Sequence, residues 1–250
     1  MTLASVPAPP ASTRARRLNR LVALLGVQRY LEIGVSQGAT FFAVEAPTKI
    51  AVDPKFRFDV EASAGPGREF HAVPSDAYFA DLPEQTTFDL IYLDGLHLFE
   101  QTYRDLCNAL AHSHPRTVIL IDDTVPASLH SAHRDRAAIA RERMKLGIKD
   151  GTWHGDVYKM VFAINDFHPS LNFVTFASGG NPQTLVWRSK GRPRAPLLDS
   201  LEAVQRLDYW RMRELEPHMA LLPEPAAFAY FEADIARLGW LAAAADSADS

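Results

Sequence analysis

Three carboxylates and one imidazole stand where apolar runs stop. "FDLIYL" ends at Asp94, "TVILI" ends at Asp122 and Asp123, and His97 follows Asp94 by three residues, where a helix begins. If the two runs are neighbouring strands, about 4.8 Å apart, all three carboxylates converge on one edge of a sheet. Packed anions repel, and each is driven toward protonation. A divalent cation removes that conflict, and an all-oxygen donor set suits Mg²⁺ or a similar hard ion such as Mn²⁺. Adjacent strand residues point to opposite faces, so Asp122 and Asp123 reach one ion together only if the chain leaves the pleat. The following Thr124, Val125 and Pro126 favour that departure. Taken alone, the stretch from Phe88 to Leu106 also fits a polar strand end and a solvated helix start.

A second group lies nearer the N-terminus. "LEIGVSQGAT" sets Glu32, Gly34 and Gly38 where a strand turns into a helix, and glycine there lets a ligand approach the backbone closely. The spacing is not the G-x-G-x-x-G of a dinucleotide site, and no Lys follows as in a P-loop. Asp53 closes the next run about 20 residues on, where a carboxylate accepts ribose hydroxyls. Ser75 and Asp76 stand at the corresponding height after a third run. Helix N-capping is the structural alternative for these last two. Together, Glu32, Gly34, Gly38 and Asp53 indicate a cofactor that contains a nucleoside.

The elements that must position these residues are legible as short apolar runs separated by helical stretches. The runs are residues 29–34, 49–53, 69–73, 88–94 and 117–123, and the clearest helices cover 38–46 and 99–113. Continuous apolar character marks strands buried on both faces, and the strand-helix alternation predicts an α/β fold with a doubly wound, mostly parallel sheet. Leu18, Leu21, Val22 and Leu25 recur at helical spacing before Gly26 and predict a helix that precedes the first strand. A further helix is expected over 157–166, then two strands, 172–178 and 183–189, joined by "GGNP". That pair would add an antiparallel edge hairpin and bring the sheet to seven strands. Residues 1–13 are expected to be a disordered tail, 14–192 the catalytic domain with an insert at 124–152, and 193–250 a C-terminal helical extension and tail. Long inserts of this kind serve as lids, binding elements or contacts in a homo-oligomer.

Composition narrows the function classes. Of 250 residues, 47% are hydrophobic and 22% charged, enough for a large core. Twenty-six basic against 30 acidic residues give a formal charge of -4, which offers no global attraction for nucleic acid. No apolar run approaches the roughly 18 residues of a membrane helix, and the Pro- and Ala-rich start is not a secretory signal. The single Cys107 forms no internal disulfide, which suits a reducing, cytoplasmic setting. It is expected to be a buried structural thiol.

The ordered series Glu32-x-Gly34-x-Ser36-x-Gly38, Asp53, Ser75-Asp76, Asp94 resembles the class I S-adenosylmethionine-dependent methyltransferases, over residues 29 to about 190. The resemblance implies that the glycine turn lies against the methionine part of the cofactor, that Asp53 holds the ribose, and that Ser75 and Asp76 meet adenine. Ser36 departs from a frequent Gly and is left as a backbone contact. The acidic set is similar to that of the metal-dependent O-methyltransferases, both the catechol group and the antibiotic-sugar group. That likeness implies Asp94, Asp122 and Asp123 as ligands of the divalent ion and His97 as the base. A metal-ligating or purely structural His97 is the alternative. The expected reaction is methyl transfer to a hydroxyl of a small acceptor, with a sugar or other vicinal diol preferred. Metal-independent methylation of another atom, such as nitrogen, or a cofactor-binding partner protein without activity are the competing readings.

Three further groups have both a functional and a structural reading. His130 and His133 either bind metal or substrate from one helix face or belong to a solvated lid. "TWHGDVYK" at 152–159 lines an acceptor pocket, or Asp156 caps the helix that follows. The Arg-rich segment 134–143 is a charged helix face, or it clamps an anionic acceptor.

Overall fold

In a computed structural model the described residues are 12–177, 182–190 and 194–241. The expected tail falls mostly on residues 1–11, and the expected turn at 179–182 mostly on 178–181, outside the described residues.

The chain opens with helix α1 (Thr13–Leu25), whose first turn is capped by the Ser12 hydroxyl accepting from the Ala15 N–H. There follow β1 (Arg29–Ile33), α2 (Ala39–Ala43), β2 (Thr48–Val52), α3 (Val60–Ser63), β3 (Arg68–His71) and α4 (Ser75–Ala80). Next come β4 (Phe88–Leu93), α5 (Phe99–Ala111) and β5 (Ser113–Ile121), then α6 (Arg136–Leu146) within the long insert and α7 (Lys159–Phe167). The last part holds β6 (Leu171–Phe176), β7 (Thr184–Arg188), α8 (Leu201–Arg206), α9 (Tyr209–Glu214), β8 (Leu221–Leu222) and α10 (Glu224–Arg237).

The strands form one sheet in the order β3-β2-β1-β4-β5-β7-β6-β8. β7 runs antiparallel to both of its neighbours, and the other pairings are parallel. The expected doubly wound α/β sheet is therefore present, with two differences. Eight strands take part, and the β6–β7 hairpin is not the edge, because β8 from the C-terminal region pairs with Thr175 and Phe176. The two residues of β8 are too short to be recognised by periodicity.

Both faces of the sheet are covered, which is why the runs are continuous rather than alternating. Leu31, Ile33, Ile91 and Leu93 pack with α5 and α7 on one face. Tyr30, Leu90 and Tyr92 meet Leu18 and Leu21 of α1 and Phe228 and Phe231 of α10 on the other. Each such side chain contributes about 2 kcal/mol through burial. α10 is tied down by Asp234, which accepts from the Trp187 indole at 2.8 Å and from the Asn172 amide at 3.0 Å. α1 is held by the buried Arg17, which donates to Glu224 at 2.8 Å and Gln183 at 2.9 Å.

Two other expectations are corrected. Cys107 is exposed rather than buried, because it falls on the outer face of α5 while Leu106 and Ala109 face the core. Asp156 does not cap α7, which begins three residues later. It accepts from the Phe99 N–H at 2.8 Å and so caps α5 across the fold. No helix among the described residues is long and apolar enough to cross a membrane.

Candidate active site

β1 lies between β2 and β4, so the chain winds away in opposite directions from its C-terminal end and leaves a crevice there. That crevice is a cleft of about 690 Å³, and its lining includes Glu32, Gly34, Ser36, Asp53, Ser75, Asp94 and His97.

The floor is the turn after β1. Gly34 has φ +86° and stands so close to the end of β4 that a Cβ would collide with the Asp94 carbonyl oxygen. Glycine is therefore needed for the β1 and β4 ends to lie side by side. Ser36 is also left-handed, with φ +51°. It is held there by Asp53, whose Oδ2 accepts from the N–H groups of Val35 at 2.9 Å and Ser36 at 2.8 Å. Asp53 Oδ1 accepts from the Lys55 N–H at 2.7 Å. The carboxylate thus fixes the turn as well as facing the cleft. Glu32 lies beneath the turn, buried, and accepts from the Tyr30 hydroxyl at 2.6 Å. Burial pushes its carboxyl up to about 8, against the opposing effect of that hydrogen bond. Gly38 caps α2 at the far side of the turn.

Across the cleft the Ser75 hydroxyl donates to Asp105 Oδ1 at 2.6 Å, and the Gln101 amide donates to the same oxygen at 3.0 Å. Burial raises the Asp105 carboxyl above its ordinary range. Gln101 and Asp105 line the cleft and were not singled out in the sequence. Their signal was present, since i and i+4 on α5 put both on one face. Asp76 is exposed, 3.3 Å from the Arg104 guanidinium, and does not line the cleft.

At the other end lie the acids. β4 and β5 are neighbours, with Leu93 opposite Ile121, so Asp94 and Asp122-Asp123 stand at one edge as expected. The chain leaves the pleat at Asp123, where φ is +59°. The departure does not bring Asp122 and Asp123 to one point. Asp122 faces Arg14 of α1, whose Nη2 lies 2.5 Å from Asp122 Oδ2 and 3.9 Å from Asp94 Oδ2. Asp123 faces His97, with Oδ2 2.7 Å from Nδ1, and its Oδ1 is 3.8 Å from His154 Nε2. His97 Nε2 lies 3.6 Å from Asp94 Oδ1. Ligand atoms of Asp94, His97 and Asp123 fall within 4.8 Å of one another, a set that can hold a metal ion, whereas Asp122 is outside it. Burial first, then repulsion from Asp122, pushes the Asp94 carboxyl well above its usual range, with Arg14 opposing. A cation among these acids would relieve that penalty, so the residues present fit a divalent ion.

His97 is itself fixed. Its φ is +59°, its ring stacks on Trp153 with centroids 4.9 Å apart and planes 4° from parallel, and Gly155 packs against its carbonyl oxygen so closely that a Cβ at 155 would collide with it. Trp153, His154 and Gly155 come from the "TWHGDVYK" segment, which therefore belongs to the site. His130 and His133 do not line the cleft and lie on no helix. Arg14 could not be found from the sequence, because nothing local ties the first turn of α1 to a strand end more than 100 residues away.

Residues 31–124 match a family model described as a methyltransferase domain. Among solved structures, the O-methyltransferase from Bacillus cereus in complex with SAH is 18% identical, over 74% of this chain and 84% of that chain, with a TM-score of 0.51. Cofactor-bound Rv0187 from MTB is 15% identical, over 73% of this chain and 83% of that chain, with a TM-score of 0.50. No curated protein matches the sequence. At these identities the likeness to solved structures is one of fold.

Proposed function

We propose that this chain, which carries a methyltransferase domain over residues 31–124 on the class I methyltransferase fold, is an S-adenosylmethionine-dependent O-methyltransferase. Its acceptor is a small molecule with a hydroxyl group, preferably a vicinal diol on a sugar or an aromatic ring. The observation that carries this reading is the meeting of Asp94, His97 and Asp123, of which Asp94 and His97 line the same cleft as the glycine turn. A cleft of about 690 Å³ is of the size that small-molecule sites have.

The cofactor residues present fit a nucleoside sulfonium. The turn from Gly34 to Gly38, with Ser36 offering only backbone, would receive the methionine part, and Asp53 the ribose. The polar edge of Ser75, Gln101 and Asp105 has donors and acceptors suited to a purine. S-adenosylmethionine, when bound, supplies a methyl group on a positively charged sulfur.

The chemical end needs a hydroxyl oxygen that is deprotonated and aimed. Asp94 and Asp123 would hold a divalent cation, Mg²⁺ or a similar ion, which supplies positive charge that lowers the pKa of a hydroxyl beside it. Asp123 orients the His97 ring through Nδ1, and stacking on Trp153 fixes its plane. That leaves Nε2 to accept the proton as the oxygen attacks. With reactants held this way, positioning supplies much of the rate.

A second reading has a specific observation behind it. Arg14 already places a permanent positive charge on Asp94 and Asp122, which would suit metal-independent transfer to another atom, such as nitrogen. Incubation with a chelator, followed by Mg²⁺ or Mn²⁺, separates the two. Catechol and methyl glycosides with adjacent hydroxyls serve as acceptors, and turnover is expected to vanish and return. Turnover indifferent to the chelator would refute the metal-dependent reading.

A further inference from the structure

The long insert holds a second cleft that the proposed reaction does not use. It measures about 310 Å³ and lies along α6 and the segment leading to Trp153. Its lining carries Arg136, Arg143 and Lys149 against a single acid, Asp150, with Met144 among its apolar residues. This concentration of positive charge occurs in a chain whose formal charge is -4.

The cations are poorly neutralised. Asp150 is engaged by the Thr152 N–H at 2.9 Å and stands 3.9 Å from Arg143. Arg143 is 6% exposed, with Nη2 donating to the Thr152 carbonyl at 2.8 Å and a buried Nε that has no partner. Among the described residues, neither Arg136 nor Lys149 has an acidic partner within salt-bridge distance.

The two clefts adjoin at Arg136 and Trp153, which line both. Trp153 stacks on His97, and the Arg136 guanidinium lies 5.4 Å from the Trp153 ring centroid. From the reaction centre outward the charge therefore changes sign, from the acids at Asp94, Asp122 and Asp123 to the cations of the insert.

We infer that the second cleft binds an anionic group, a carboxylate or a phosphate, carried by the methyl acceptor. Guanidinium groups suit either through paired N–H donors. Repulsion by the inner acids and attraction by the outer cations would orient such an acceptor with its hydroxyl toward His97. The link to an acceptor rests on the O-methyltransferase reading, whereas the anion site itself does not.

The test begins with the full chain titrated calorimetrically with inorganic pyrophosphate in metal-free buffer, as wild type and as the double variant Arg136→Gln, Lys149→Gln. Both side chains are exposed, so folding is expected to be retained. Wild type is expected to bind, and the variant to lose about tenfold or more in affinity. KM is then compared for 3,4-dihydroxybenzoate, 3,4-dihydroxybenzyl phosphate and neutral catechol. An anionic acceptor is expected to show a KM about tenfold below that of catechol, with the gap closing in the variant, and which anion gains more identifies the source of the charge. Pyrophosphate bound equally by both proteins, or not bound by wild type, overturns the inference, as do equal KM values for all three acceptors in an active enzyme. Pyrophosphate binding that the variant loses, with no turnover of any acceptor, upholds the anion site and overturns the O-methyltransferase reading.

Discussion

Arg14 Nη2 lies 2.5 Å from Asp122 Oδ2, joining the first turn of α1 to the end of β5. Asp122 is 2% exposed, and removing one partner of a buried pair leaves the other charge uncompensated. Arg14→Gln is expected to destabilise the fold by about 3 kcal/mol, measured by urea unfolding at pH 7. Adding Asp122→Asn should recover most of that loss. Strict additivity of the two substitutions would show that the pair is not coupled.

The His97–Asp123 contact calls for a kinetic test. Asp123→Asn removes the carboxylate that orients Nδ1, and kcat is expected to fall by about 100-fold or more. Calorimetric affinity for S-adenosylhomocysteine should change little, because Asp123 is buried and does not line the cleft. A parallel collapse of cofactor affinity would assign Asp123 to the cofactor instead.

Gly155 acts on His97 through the backbone. Gly155→Ala must push against the His97 carbonyl oxygen from a position with φ +62°, so either the segment or His97 moves. A stability loss of about 2–4 kcal/mol is expected, together with a drop in kcat larger than the drop in cofactor affinity. Ala at this position with full activity would show that His97 placement is not critical.

Glu32 gives a pH signature. Its folded-state value of about 8 lies above its ordinary 4.5, so the folded protein binds this proton more tightly than the unfolded chain. The resulting stabilisation is fully present below about pH 4.5 and is lost as pH rises through 8. Glu32→Gln removes the titration while leaving an acceptor for the Tyr30 hydroxyl. Wild type should therefore lose stability relative to the variant between pH 5 and pH 9, by up to about 4 kcal/mol. A flat difference across that range would exclude a buried, protonated Glu32.

The sequence by itself determined seven of the eight strands of the sheet, the placement of the glycine turn and the arrival of Asp94, Asp122 and Asp123 at one edge. Those features are local: apolar runs, turn residues, and acids at the ends of runs. It also marked His97 and the segment at 152–159 as unusual. Only the tertiary structure decided how the acids divide. The left-handed turn at Asp123 sends its carboxylate to His97, whereas Asp122 meets a guanidinium from α1, so the ligand atoms gathered at one point come from Asp94, His97 and Asp123. It likewise made Asp156 the cap of α5, added β8 at the sheet edge beyond β6, and set the cations of the insert beside the cleft at Trp153. Sequence spacing fixes which residues share a strand end or a helix face. Which distant side chain neutralises a buried charge depends on packing across more than 100 residues, and no local pattern encodes that.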